Sequence, residues 1–311
     1  PKMIEELRPD LPLLEHVLVI GGEGANSFEA TLVERKWEEE LDADAVFKAQ
    51  RPDADELTQL LFTSGTTGEP KGVMHTSNTL ISNVVQCIAR HGLDDGDVLY
   101  MPSPLGHQIG FMYGMMMSVM ARGTLVLQDV WSPGQAAETI EKHGATFTMA
   151  STAFLADLTD CPDIEHCDIG TLGVFISSGA PIPRALARRA RQRLDTAIIS
   201  AWGMTEFGIM TATLPDDPEE KAFETDGGPV PGAEVRVVGT DGNPVPTGES
   251  GLLQARGSYT FVGYLKRPEL YDVDADGWFS TGDLAVMDGD GYIRIVGRDK
   301  EVIIRSGFNV Y

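Results

Sequence analysis

Short apolar runs alternate with stretches of helical period from the start of the chain to about residue 205. Residues 16–21 (HVLVIG), 57–63 (LTQLLFT), 97–102 (DVLYMP), 124–128 (TLVLQ), 145–150 (ATFTMA), 172–177 (LGVFIS) and 196–202 (TAIISAW) are apolar, mostly β-branched and bounded by turn residues, which predicts strands. Helical patterns lie between them. Residues 132–144 carry Ser132 where an N-cap belongs, Pro133 at the first helical position and Gly144 past the end. Residues 183–194 (PRALARRARQRL) place Ala185, Leu186, Ala190 and Leu194 on one side and turn their arginines outward. This alternation predicts a largely parallel sheet covered by helices.

After Gly227 the pattern changes. AEVRVVG, SGLLQARG and GYIRIVGR read as strands separated by Gly/Asp/Pro turns, and helical periods nearly vanish. An antiparallel sheet or distorted barrel following the α/β part is expected. The boundaries that follow are an α/β region over 1–226 and a β-rich subdomain over 227–297. Residues 215–226 (PDDPEEKAFETD) read as a charged, solvated surface connection. No internal repeat or low-complexity segment interrupts this organisation.

Composition narrows the classes. The 311 residues fit roughly two domains or one large one, and 42% apolar content suffices for a buried core. The longest apolar candidate, GFMYGMMMSVMA, falls short of the ~18 residues of a membrane span. The N-terminus, PKMIEELRPD, shows no secretory pattern and no initiator methionine, so a piece of a longer chain is expected. A net charge of −23 argues against nucleic-acid or anionic-lipid partners, which need many Lys/Arg contacts to phosphate. A site for a polyanion must then be a local concentration of donors. Cys87, Cys161 and Cys167 are odd in number and match no disulfide framework, which points to a reducing, cytoplasmic setting. CPDIEHC lacks the paired spacing of a zinc site and reads as an exposed turn.

One short stretch carries more chemistry. FTSGTTGEPKG (62–72) begins at a predicted strand end. Thr63, Ser64, Thr66 and Thr67 supply hydroxyls, Gly65, Gly68 and Gly72 allow close backbone approach to anionic oxygens, and Lys71 supplies a point charge. A triphosphate suits so many donors; the bland alternative is a Gly/Thr-rich surface turn. Pro70-Lys71-Gly72 departs from the Gly-Lys-Ser/Thr ending of the common nucleotide loop, which disfavours a kinase or ATPase of that type.

TSGTTGEPKG resembles the phosphate loop of the adenylate-forming superfamily, which comprises acyl-CoA synthetases, luciferases and peptide-synthetase adenylation domains. The superfamily's other signatures follow in order: SSGAP (177–181), AWGMTE (201–206), WFSTGD (278–283) and GRDKEVIIRSGFNVY (297–311). The resemblance covers nearly the whole chain. It implies a partial N-terminal domain of an adenylate-forming enzyme, with residues 298–311 as hinge and start of a further domain. Carried onto this sequence, it puts Ser178, Gly179, Ala180 and Pro181 on the adenine side, with Trp202, Gly203, Met204 and Thr205. Trp202 stands where the family usually has tyrosine, which keeps a ring for stacking and alters the polar role. Thr205 is suited to a phosphate oxygen, Glu206 to Mg²⁺, Asp283 and Arg298 to the ribose, and Lys300 to the hinge. Lys71, Thr205 and Glu206 form the catalytic set.

The acid is expected near residues 102–117, with His107, Phe111, Met112 and Gly203 at its pocket. Most methionines there are core filler on the bland view. Amino-acid-activating relatives carry an aspartate in this region; none stands between Pro102 and Ala121, which favours an acid without an α-amine. The resemblance, closest in AWGMTE, GYLKRPEL and GWFSTGDLA to medium-chain and cyclohexanecarboxylate-type CoA ligases, implies activation of a carboxylic acid to acyl-AMP and pyrophosphate, then transfer to coenzyme A. ATP, Mg²⁺ and coenzyme A are the implied cofactors, and a homodimer is compatible. Acyl transfer to a carrier-protein thiol and a non-catalytic nucleotide-binding remnant are the alternatives. The family's C-terminal catalytic lysine is expected beyond Tyr311.

Overall fold

The computed structural model describes residues 2–63, 70–180, 182–299, 303–305 and 308–310, the last two stretches as backbone. Two units emerge, Pro1–Asp53 and Ala54–Tyr311. The α-helices described in the first are α1 (Lys2–Leu7), α2 (Trp37–Glu40) and α3 (Ala43–Gln50), none of which buries a residue. Asp42 caps α3 by accepting from the Ala45 N–H. Residues 16–21 do not form the expected strand. A single bridge joins Val19 to Ser27, and Ile20 is 78% exposed. An apolar run becomes a strand only where a partner extends the ladder, and among the described residues none does.

The second unit begins with β1 (Leu57–Thr63), which pairs antiparallel with β2 (Lys71–Thr76). The predicted strand 57–63 is therefore present, but in a hairpin rather than a parallel sheet. Thr63 and Lys71 are register partners, so the Gly/Thr-rich loop joins two strands of one ladder. Helix α4 (Ser77–His91) follows directly. Thr76 and Thr79 make its capping box, and Gly92 ends it in the left-handed region at φ 64°.

The βα alternation then builds the main sheet. Its elements are β3 (Val98–Met101), a helical stretch Ile109–Met116 running into α5 (Met117–Ala121), β4 (Thr124–Leu127), α6 (Pro133–His143), β5 (Phe147–Ser151), α7 (Thr152–Asp160), β6 (Val174–Ser178), α8 (Arg184–Leu194), β7 (Ala197–Met204), β8 (Gly208–Ala212), α9 (Glu219–Glu224) and β9 (Gly228–Pro229). The strand order is β4-β3-β5-β6-β7-β8-β9; pairs from β4 to β7 are parallel, and β8 and β9 are added antiparallel. Alternate residues feed two cores. Leu99, Met101, Phe147, Met149, Ile176 and Ile199 join the one that includes α4, while Tyr100, Ala150, Phe175 and Ile198 join the one under α6, α7 and α8. That is the two-sided burial of a parallel sheet.

Three details differ from expectation. Ser132 sits at the N-cap of α6 but makes no side-chain cap bond. In α8 the buried face is Leu186, Ala187, Ala190 and Leu194; Ala185 is exposed. Residues 215–226 are not merely a solvated connection. Helix α9 buries Ala222 and Phe223 against the α8 core, and Asp226 is buried, accepting from the Ile295 N–H and from Arg294. A short amphipathic turn hidden in a charged composition shows little periodicity.

The remaining strands are β10 (Ala233–Val238), β11 (Ser250–Gly257), β12 (Gly263–Tyr264), β13 (Phe279–Met287), β14 (Ile293–Arg298), β15 (Ile303–Arg305) and β16 (Phe308–Val310). The order β10-β11-β13-β14 makes the expected antiparallel sheet, β12 returns to pair with β2, and β15 pairs with β16.

Candidate functional site

The carboxyl ends of β6 and β7 lie at the centre of the site, where open α/β sheets place their ligands. Ser178 is buried at the end of β6 and is followed by exposed Gly179 and Ala180. Gly179 has φ +83°, and a Cβ there would meet nothing within 4 Å, so the backbone faces open space. Thr152 pins the turn by donating to the Ala180 carbonyl over 3.0 Å.

At the end of β7 the chain turns sharply from Met204 to Phe207, whose N–H donates to the Met204 carbonyl. A Cβ on Gly203 would lie 2.1 Å from the Gly208 carbonyl oxygen, so the two strands approach more closely there than any other residue permits. Asn83 and Tyr113 brace this turn. The Tyr113 hydroxyl accepts from the Ile209 N–H at 2.6 Å and donates to Asn83 Oδ1 at 2.7 Å, while the Asn83 amide donates to the Phe207 and Ile209 carbonyls. Burial raises the Tyr113 pKa and keeps the phenol protonated.

The turn presents Thr205 and Glu206. His75 holds Thr205 by its backbone: Nε2 donates to the Thr205 carbonyl over 2.8 Å, which fixes the tautomer, and Nδ1 lies 2.9 Å from the Thr79 hydroxyl. Burial lowers the His75 pKa, so the ring is neutral at pH 7; the bond to Thr205 opposes the shift. Glu206 is 6% exposed, and its Oε1 accepts from the Tyr264 hydroxyl at 2.6 Å. Burial first, then the Glu206 carboxylate, raises the Tyr264 pKa and keeps that hydroxyl a donor. The Lys71 ammonium lies 5.2 Å from the Tyr264 ring centroid. Tyr264 thus stands between the lysine at the start of β2 and the carboxylate after β7. Beneath it, Phe207, Phe261 and Phe279 pack edge to face.

The third component comes from β13 and β14. Asp283 and Arg298 are register partners, and Arg298 Nε reaches Asp283 Oδ1 at 2.7 Å. The indole Nε1–H of Trp202 donates to Asp283 Oδ2 at 3.0 Å. Residues from three sheets therefore meet: Lys71 and Tyr264, Trp202 through Glu206, and Asp283 with Arg298.

Other expected positions fall differently. Ser64, Gly65, Thr66, Thr67, Gly68, Pro181 and Lys300 lie outside the described residues. Thr63 is half-buried at the end of β1. Met112 is fully buried in the core, Phe111 is half-buried against it, and His107 is exposed, its Nδ1 accepting from the Ile109 N–H. Tyr264, His75, Asn83 and Tyr113 were not singled out from the sequence. Tyr264 stood within GYLKRPEL, but nothing local signals its partner 58 positions away.

The sequence profile of the AMP-binding enzyme family matches residues 1–265. The chain belongs to that family. It is 37% identical over 258 residues to the medium-chain fatty-acid–CoA ligase of Escherichia coli (strain K12), covering 82% of this chain and 45% of that protein. It is 32% identical over 258 residues to a feruloyl-CoA synthase of an Amycolatopsis species, covering 83% and 52%. Among solved structures, ATP-bound MatB from Rhodopseudomonas palustris superposes with a TM-score of 0.77 at 31% identity, covering 84% of this chain and 52% of that one. The chain spans about half the length of these relatives.

Proposed function

We propose that the chain is the nucleotide- and acyl-binding part of an acyl-CoA ligase, which activates a carboxylic acid with ATP to acyl-AMP and pyrophosphate and then passes the acyl group to coenzyme A. The observation that carries this is the meeting of Glu206, Thr205 and Lys71 with the Asp283–Arg298 pair around the ends of β6 and β7. The donor set suits a nucleoside triphosphate. Asp283 and Arg298 offer an acceptor and a donor to a ribose, Gly179 offers open backbone to a base, and Lys71 with the Thr205 hydroxyl offers donors to phosphate oxygens.

The reaction needs no general base, because a carboxylate is ionised at neutral pH. Its oxygen bonds to the α-phosphorus as the bond to the pyrophosphate oxygen breaks. Bringing an anion onto a polyanion demands positioning and charge neutralisation. Lys71 and the hydroxyl-rich 63–68 segment serve the leaving pyrophosphate, and Thr205 a phosphate oxygen. Glu206 would hold Mg²⁺, whose charge offsets that of the phosphates. His75 holds the Thr205 backbone and Tyr264 orients Glu206. In the second step a thiolate of coenzyme A attacks the acyl carbonyl and AMP leaves.

The acid lies toward His107, Phe111 and Gly203, and the absence of aspartate from 102–121 favours a substrate without an α-amine. The division into 1–226, 227–297 and a hinge from 298 fits an enzyme whose following domain rotates between the two steps, in the cytoplasm. The test is pyrophosphate release or hydroxamate formation by the full-length protein across a panel of aliphatic, alicyclic and aromatic acids. Activity with one class, followed by thioester formation with coenzyme A, is expected. Release with none of them counts against the reading, and transfer to a carrier-protein thiol in place of coenzyme A moves it to the other acceptor.

A further inference from the structure

Trp202 lies where the ladder between β7 and β8 is broken by a bulge between Trp202 and Gly203. The extra residue is Met210 on β8, and Trp202 keeps its register partner Thr211. Here the indole is 8% exposed, and its Nε1–H points into the second sheet, to Asp283 Oδ2 at 3.0 Å. The partner is 81 positions away and is itself buried. Arg298 reaches the opposite oxygen at 2.7 Å. Among the described residues a donor reaches each oxygen from a different strand, and the two hold the plane of the carboxylate. Stacking on a base needs only a flat ring, which phenylalanine or tyrosine also provides. Phenylalanine has no edge N–H to aim at the buried carboxylate.

We propose that Trp202 is a positioning residue for ribose recognition: its N–H sets the orientation of Asp283 toward a ribose diol. The inference rests on the nucleotide reading above and adds to it a positioning role for the indole N–H. A carboxylate that accepts from two neighbouring hydroxyls depends on its plane more than one that accepts from a single hydroxyl. Loss of the N–H with the ring retained should therefore weaken a ribonucleotide more than its 2′-deoxy counterpart.

The test uses the full-length protein and its Trp202→Phe variant, with ATP and 2′-deoxyATP titrated by calorimetry. The wild type should prefer ATP. The variant should lose about tenfold in ATP affinity, the scale of one charge-assisted hydrogen bond, and at most about threefold for 2′-deoxyATP. Equal weakening of both nucleotides, or an unchanged preference, overturns the positioning role and leaves the nucleotide reading standing. A wild type that binds neither nucleotide overturns the nucleotide reading itself, and the inference with it. Should the variant not fold, the Trp202 indole N–H resonance carries the test: it should move upfield in Asp283→Asn, and a resonance that ignores that change overturns the proposal.

Discussion

At the scale of single residues the site consists of carboxylates held by neighbours distant in sequence. Tyr264→Phe removes the donor to Glu206 while keeping the ring beside Lys71. Pyrophosphate exchange by the full-length enzyme should fall roughly tenfold, the worth of one charge-assisted hydrogen bond. Glu206→Ala should cut exchange by about 10²-fold or more; near-normal exchange would count against the proposed metal role. As members of the candidate site, Glu206 and Asp283 were legible because each sits in a short recognisable motif. Tyr264 and His75 were not, because a hydrogen bond spanning 58 or 130 positions leaves no mark in local spacing. His91 adds a pH dependence. Burial, aided by Arg90, lowers its pKa to about 4 from 6.5, so the unfolded chain binds the proton first as pH falls. The stability from keeping His91 neutral is complete above about pH 6.5 and is lost progressively toward pH 4. The drop in urea midpoint between pH 7 and pH 5 should be smaller in His91→Leu than in the wild type.

Among elements, the predicted strands from 97 to 202 all form, because short β-branched runs between turn residues also have parallel partners to receive them. The hairpin of β1 and β2 was hidden. KGVMHT follows the loop without alternation strong enough to mark a strand, and pairing direction is a property of two segments together. Helix α9 was hidden by its charge, although Lys221 reaches Asp290 at 2.8 Å and Phe223 is 3% exposed. Phe223→Ala should cost about 3 kcal/mol or more of unfolding free energy, read from denaturant midpoints, if that helix belongs to the core. Gly203→Ala tests the close approach of β7 to β8. A Cβ against backbone cannot be relieved by a side-chain rotation, so the Met204–Phe207 turn must shift. Pyrophosphate exchange should drop, and thermal stability should fall clearly with it.

For the molecule as a whole, the site exists only where separate sheets meet. The main sheet contributes Trp202 through Glu206, the β10–β14 sheet contributes Asp283 and Arg298, and the three-stranded sheet contributes Lys71 and Tyr264. If residues from 298 onward form the hinge of a rotating domain, Lys300→Pro should spare acyl-adenylate formation and block the thioester step. Equal loss of both, measured by pyrophosphate exchange and thioester yield, would count against a hinge. The hydrogen bond from Trp202 to Asp283 also has a thermodynamic consequence. A ligand seated over that bond touches two sheets that share one core. Saturating nucleotide, at about 100 times its dissociation constant, adds roughly 2.7 kcal/mol to the state in which both sheets are folded and docked. It adds nothing to a form in which either has come away. The calorimetric unfolding temperature should then rise with nucleotide concentration.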